Sequence, residues 1–273
     1  MPIEGEWIGE ARNGEPKRTL DIACADSAGR DWQPESLDGV FTDPPYFGNV
    51  QYAELMDFCY VWLRRLVGAG DPAFSAPSTR HAQELTGNEN MRRGLVHFTE
   101  GLSRTFSRTA AALKPGAPFV FTYHHNDIAA YFPIAAAILD AGLVCSKALP
   151  CPAEMGASIH IKGAASSTVD SVFVCRRPQD RDIPEPEVVG DLIREDMLAL
   201  EESGLKATLG DKRCVTYGHV IRQAVNGLAE KWRTSLAAED KLDILARWFA
   251  AFGGHEALRE LAGEKDFPNG NAH

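Results

Sequence analysis

The chain is 273 residues long, 44% hydrophobic and 24% charged, with a net charge of −10. That length and composition suit one sizeable α/β domain with a helical appendage. The acidic balance argues against broad non-specific binding to nucleic acid, because phosphate contacts need Lys and Arg, and leaves room only for a local basic strip.

No apolar run approaches the ~18 residues that a membrane span needs. Met1-Pro2-Ile3-Glu4-Gly5 has neither the basic nor the apolar region of a signal peptide, so a cytoplasmic location with no membrane partner is the expectation. The six cysteines, Cys24, Cys59, Cys145, Cys151, Cys175 and Cys214, form no C-x-x-C pair. They read as scattered reduced core thiols, and no metal is expected.

Taken in chain order, residues 1–18 are polar and weakly patterned, and 19–24 (TLDIAC) has the composition of a short strand ending at Asp26-Ser27. Residues 37–42 predict a second, buried strand, stopped by Asp43-Pro44-Pro45. Over 52–67, Tyr52, Leu55, Met56, Cys59, Leu63 and Leu66 recur at helical spacing, and Trp62 reads as core. Residues 68–90 are rich in Gly, Pro, Ser and Asn and predict a mobile loop. A long amphipathic helix over 92–113 ends at Lys114-Pro115-Gly116. A strand over 117–123, a helix over 127–141, and strands over 143–149 and 168–175 follow. Strands alternating with helices imply a mainly parallel sheet with an antiparallel ending. The Pro- and charge-rich 176–188 stretch marks a boundary between a domain at 1–178 and a helical region at 179–273, with helices over 192–202, 218–236 and 238–251.

The chemistry concentrates in Thr42-Asp43-Pro44-Pro45-Tyr46-Phe47, at the C-terminal end of a strand, the edge where open α/β sheets bind ligands. Two prolines stiffen the backbone and remove two N–H donors. An exocyclic amino group carries two N–H donors; the Asp43 carboxylate can accept one and the Pro44 carbonyl the other. Accepting both draws the nitrogen lone pair out of ring conjugation, so the nitrogen can attack an activated methyl without a covalent enzyme intermediate. Tyr46 offers a ring for stacking on a flipped base. The plain alternative is a turn after a strand.

The D-P-P-Y tetrad resembles the signature of amino-group DNA methyltransferases of the S-adenosylmethionine-dependent, class I Rossmann-like type. The longer run over 42–65, TDPPYFGNVQYAELMDFCYVWLRR, is similar to the adenine-specific DNA methylases that carry a DUF1156 domain near their N-terminus. FVFTYHHN at 119–126 resembles the strand after the long helix in that family. The likeness covers 19–178 and, more faintly, the helical tail. It implies methyl transfer to adenine N6 of DNA, with Asp43, Pro44, Pro45 and Tyr46 catalytic. It also implies that Asp26, Thr42 and Asp43 border S-adenosylmethionine, Asp26 by contacting the cofactor's adenine amino group.

Asp26 is equally read as a turn carboxylate capping backbone N–H groups. Phe47, Asn49, Tyr52 and His124 are candidates for the target pocket; Asn49 could instead cap the following helix. The family often carries an acidic residue where this chain has Gly48. Adjacent on a strand, His124 and His125 point to opposite faces, which disfavours a metal pair. Arg64, Arg65, Arg92, Arg93, Arg104 and Arg108 read as solvated helix faces, with phosphate contact as the alternative.

No glycine-rich cofactor turn precedes Asp43. Phe252-Gly253-Gly254-His255 follows a helix instead of a strand and reads as an inter-helix turn. The missing turn would then lie upstream in a longer protein or on a second polypeptide, or the chain is an inactive remnant. A non-catalytic subunit and an RNA or protein amino-methyltransferase are the rival readings.

Overall fold

The computed structural model describes residues 23, 25–48, 50–68, 70–88, 91–153, 167–178 and 187–263. The strand expected over 19–24 lies outside these residues, except for Ala23. The described chain is α/β: four strands form one mixed sheet, and seven α-helices accompany it. The strands are β1 (Val40–Thr42), β2 (Pro118–Tyr123), β3 (Val144–Pro152) and β4 (Val169–Arg176), in the order β1-β2-β4-β3.

β1 pairs parallel to β2, whereas β2–β4 and β3–β4 are antiparallel. The antiparallel ending is as expected. The mainly parallel sheet is not: β4 enters between β2 and β3, leaving one parallel pairing among the described strands. β1 is also not buried. It is an edge strand here, and Phe41 is 77% exposed.

Alternation along β2 explains the layering. Phe119, Phe121 and Tyr123 point to the covered face, and Pro118, Val120 and Thr122 to the other. On the covered face Phe121 stacks on Phe173 of β4 at 5.1 Å, and Phe106 meets Phe119 at 4.8 Å. Phe106 belongs to α2 (Leu95–Ala111). On the other face Phe41 and Leu149 are exposed and Val120, Val172 and Val174 are half-buried.

α1 spans Tyr52–Val67, as its spacing predicts. Trp62 of α1 is 55% exposed, however, so it is not core. The described residues of the 68–90 segment include a 3-10 turn, Pro72–Phe74, and are tied to their neighbours: Thr86 and Gly87 bond Val50 and Gln51, and buried Arg93 pairs with Glu84 at 3.0 Å. The expected 127–141 helix divides into a 3-10 turn, Ile128–Tyr131, and α3 (Phe132–Asp140). Pro133 lacks the N–H that one continuous helix would need there, so the α-helix starts afresh at Phe132.

Four helices complete the described residues: α4 (Val189–Glu202), α5 (Leu209–Leu228), α6 (Ala238–Phe252) and α7 (Gly254–Ala262). α5 begins nine residues before the expected start at Gly218, at a capping box in which Thr208 and Asp211 bond each other's backbone N–H. Gly218 lets α5 lie close on the sheet: a Cβ there would stand 2.9 Å from Ser171 Oγ. Gly253, at φ 116°, closes α6 in the left-handed region, so the glycine pair is an inter-helix turn. One hydrophobic core runs from Phe98 through Phe173 and Val220 to Leu258. Cys145, Cys175 and Cys214 are buried free thiols, as expected, but Cys59 and Cys151 are exposed.

Candidate active site

The chain leaves the sheet at Asp43, on the C-terminal edge of the parallel pair. With no N–H at Pro44 or Pro45, the strand ladder cannot continue. Pro44 is buried, Asp43 is exposed, and Pro45, Tyr46 and Phe47 are half-buried. Thr42 stands opposite Phe121 in the β1–β2 register. The next positions along each strand bring Asp43 beside Thr122, whose hydroxyl donates to Asp43 Oδ1.

Tyr46 is fixed from several sides. Its hydroxyl donates to Asp170 Oδ2 at 3.2 Å and also meets Thr122, and its ring packs edge-on against Tyr123 at 5.3 Å. Burial pushes the Tyr46 hydroxyl far up, and the nearby Asp170 and Asp43 carboxylates add to the rise. It therefore stays a protonated donor. A chain of groups results: Asp43, Thr122, Tyr46, Asp170.

The rest of the loop is clamped. Phe47 packs on Phe98 at 5.4 Å and on His125 at 6.3 Å. The Phe47 backbone bonds both the Tyr123 hydroxyl and the His125 ring. Tyr123 in turn donates to the Ala130 carbonyl at 2.9 Å. The Tyr52 hydroxyl reaches the Tyr46 amide at 3.5 Å, the outer limit of a bond. Gln51 donates to the Gly87 carbonyl at 2.8 Å. Gly87 is needed there, since a Cβ would fall 2.8 Å from the Gly48 nitrogen.

Asp43 opens into a hollow of about 270 Å³ bordered by Asp26, Thr42, Pro44, Leu85 and Arg104. A second hollow of about 240 Å³, bordered by Asp26, Thr42, Val40 and Trp32, adjoins it. Asp26 also caps its turn, accepting the Ala28 N–H at 2.9 Å. The turn-capping reading of Asp26 therefore holds, and its side chain also borders both hollows.

Asp26, Thr42, Asp43, Pro44 and Pro45 meet at one hollow; Tyr46 and Phe47 form its neighbouring loop; Tyr52 returns to the tetrad. His124 sits just past β2, with His125, Asn126 and Asp211 as its electrostatic neighbours, and borders neither hollow. Burial lowers the pKa of both His124 and His125, which keeps the imidazoles neutral at neutral pH. Asn49 lies outside the described residues. Of the arginines, Arg64 holds the Phe74 carbonyl at 2.8 Å and Arg108 the Arg30 carbonyl at 3.0 Å; these two and Arg93 brace loops, so they are not merely solvated. Thr122 and Asp170 are the groups that sequence reasoning missed. Thr122 stands inside the FVFTYHHN run, but nothing in the sequence marks Asp170.

Comparisons with protein-family models, with curated proteins and with solved structures find no match.

Proposed function

We propose that this chain is the target-binding and amino-methylating part of an S-adenosylmethionine-dependent DNA adenine N6-methyltransferase of the Rossmann-like class. The observation that carries the reading is the tetrad itself: D-P-P-Y at the C-terminal edge of a parallel strand, with Asp43 facing a hollow and held by Thr122. Asp43 accepts one N–H of the target amine and the Pro44 carbonyl accepts the other. Thr122 fixes the Asp43 carboxylate, so the amine is held in one orientation. Tyr46, tethered by Asp170, gives the extruded adenine a ring of fixed plane.

The cofactor supplies an electrophilic methyl group when bound. The residues present fit one wall of its site only. Asp26, Thr42 and Asp43 border the first hollow, and Asp26 and Thr42 the adjoining one. No glycine-rich turn in the 273 residues completes it. The turn that completes it therefore lies outside these 273 residues, upstream in a longer chain or on a second polypeptide.

A duplex with 2-aminopurine at the target adenine tests the chain's own share of the work. Binding is expected to raise the fluorescence as the base leaves the stack, and Asp43→Ala and Tyr46→Ala are expected to abolish the rise while circular dichroism is unchanged. Equal signals from wild type and both variants would remove the tetrad from base binding. Calorimetry with S-adenosylmethionine is expected to show no saturable binding to the chain alone; stoichiometric binding would overturn the divided cofactor site. In the completed enzyme, labelled methyl is expected on adenine of DNA and not on RNA or protein, and Asp43→Ala is expected to abolish it.

A further inference from the structure

α1 is built inside out. Ala53, Asp57, Tyr60 and Arg64, at i, i+4, i+7 and i+11, lie on one face, and that face is turned toward the rest of the chain. Its contacts are largely polar. Asp57 accepts from the Thr79 amide at 2.6 Å and from Ser78 Oγ at 2.7 Å; Tyr60 donates to the Ala76 carbonyl at 2.8 Å; Arg64 donates to the Phe74 carbonyl. The opposite face, Leu55, Cys59, Trp62 and Leu66 at the same spacing, is apolar and exposed. Leu66 is 82% exposed, Leu55 60% and Trp62 55%, with Met56, Leu63 and Val67 beside them. Ala53 is the one buried residue of the helix.

We infer that this stripe is an interface with a second copy of the same chain, two α1 helices packing antiparallel about a two-fold axis near residue 60. Charge selects that occupant. Glu54 and Arg65 flank the stripe on the same side, at opposite ends of the helix, and both are exposed; within its own chain Glu54 meets only the exposed Arg80, at 3.4 Å, a solvent-screened pair that leaves its second oxygen for a partner. Antiparallel pairing sets Glu54 of each copy against Arg65 of the other. The stripe then meets itself, as an isologous contact requires. The inference uses α1 alone and is independent of the tetrad's role.

Sedimentation of the full chain is expected to give twice the 29.8 kDa chain mass. Leu66→Glu is expected to raise the dimer dissociation constant about 100-fold, because the two-fold axis brings one such charge into each end of the interface. Its circular dichroism should be unchanged, because Leu66 faces away from the chain's own core. Arg65→Glu, which breaks no ion pair among the described residues, should weaken the dimer, and the double reversal Glu54→Arg with Arg65→Glu should restore it. A short bis-maleimide should join Cys59 to Cys59 of the second copy, and not in Cys59→Ser. A monomeric wild type would overturn the inference and assign the stripe to another polypeptide. A dimer indifferent to Leu66→Glu, or a double reversal without rescue, would overturn this helix pairing.

Discussion

Thr122 places Asp43, and its loss is the sharpest single-residue test at the candidate site. A hydrogen bond to a charged group is worth about 1.5–3 kcal/mol, so Thr122→Val is expected to lower methyl transfer in the completed enzyme about tenfold to a hundredfold. Thr122→Ser, which keeps the donor, should restore most of it. His124 and His125 give a pH prediction. Burial lowers both pKa values below the ordinary 6.5, so the unfolded chain binds more protons just below that pH. Their stability contribution is therefore full above about 6.5 and is lost as pH falls below it. Asp211 loses its contribution only below its ordinary 3.8: burial opposes ionisation, but hydrogen bonds from Thr208, Thr168 and Ser167 outweigh it. Urea titrations between these two values should show stability falling with pH, and the slope should flatten in a His124→Gln/His125→Gln variant. The tetrad was legible as residues because it is contiguous. Its supports were not: Thr122 lies 79 residues from Asp43 and Asp170 lies 124 from Tyr46, so only strand register brings them together.

Elements were legible where one face is apolar and the ends carry stop signals. α1 matched its spacing to the residue, and Lys114-Pro115-Gly116 did close the α2 segment, with Gly116 at φ 75°. α5 was misplaced because its first half is punctuated by Gly210 and polar residues, while the signal that starts it, Thr208-x-x-Asp211, is a hydrogen-bond pattern and not a hydrophobic one. Periodicity also gives a helix's apolar face without saying what meets it, which is why spacing alone puts Trp62 in the core while the fold leaves it 55% exposed. Between elements, Asp140 at the end of α3 accepts from Trp232 and from Lys241 of α6, each at 2.9 Å, with Asp140 and Lys241 side chains 5% and 10% exposed. Asp140→Ala strands a buried ammonium and is expected to cost about 3–5 kcal/mol in chemical denaturation. Asp140→Leu with Lys241→Met should recover most of that loss, because the uncompensated charge is then gone.

At the scale of the whole molecule, α5 lies on β3 and β4, and the core continues from α2 through the sheet into α7. The helices beyond residue 187 thus share the core of the sheet. A single calorimetric transition is expected for the chain, with van't Hoff and calorimetric enthalpies in agreement; two separated transitions would show the helical region unfolding on its own. Among the described residues no helix is long and apolar enough to cross a membrane. The sequence by itself determined the alternation of strands and helices, the close of α6 at Gly253 and the contiguous D-P-P-Y loop. These are local properties of side-chain period, backbone freedom and proline chemistry. The tertiary structure decided the rest: the insertion of β4 between β2 and β3, the exposure of β1 and of the α1 stripe, and the Asp43–Thr122–Tyr46–Asp170 chain. Each of those depends on which distant segment packs alongside, a matter of long-range register and burial that local pattern does not encode.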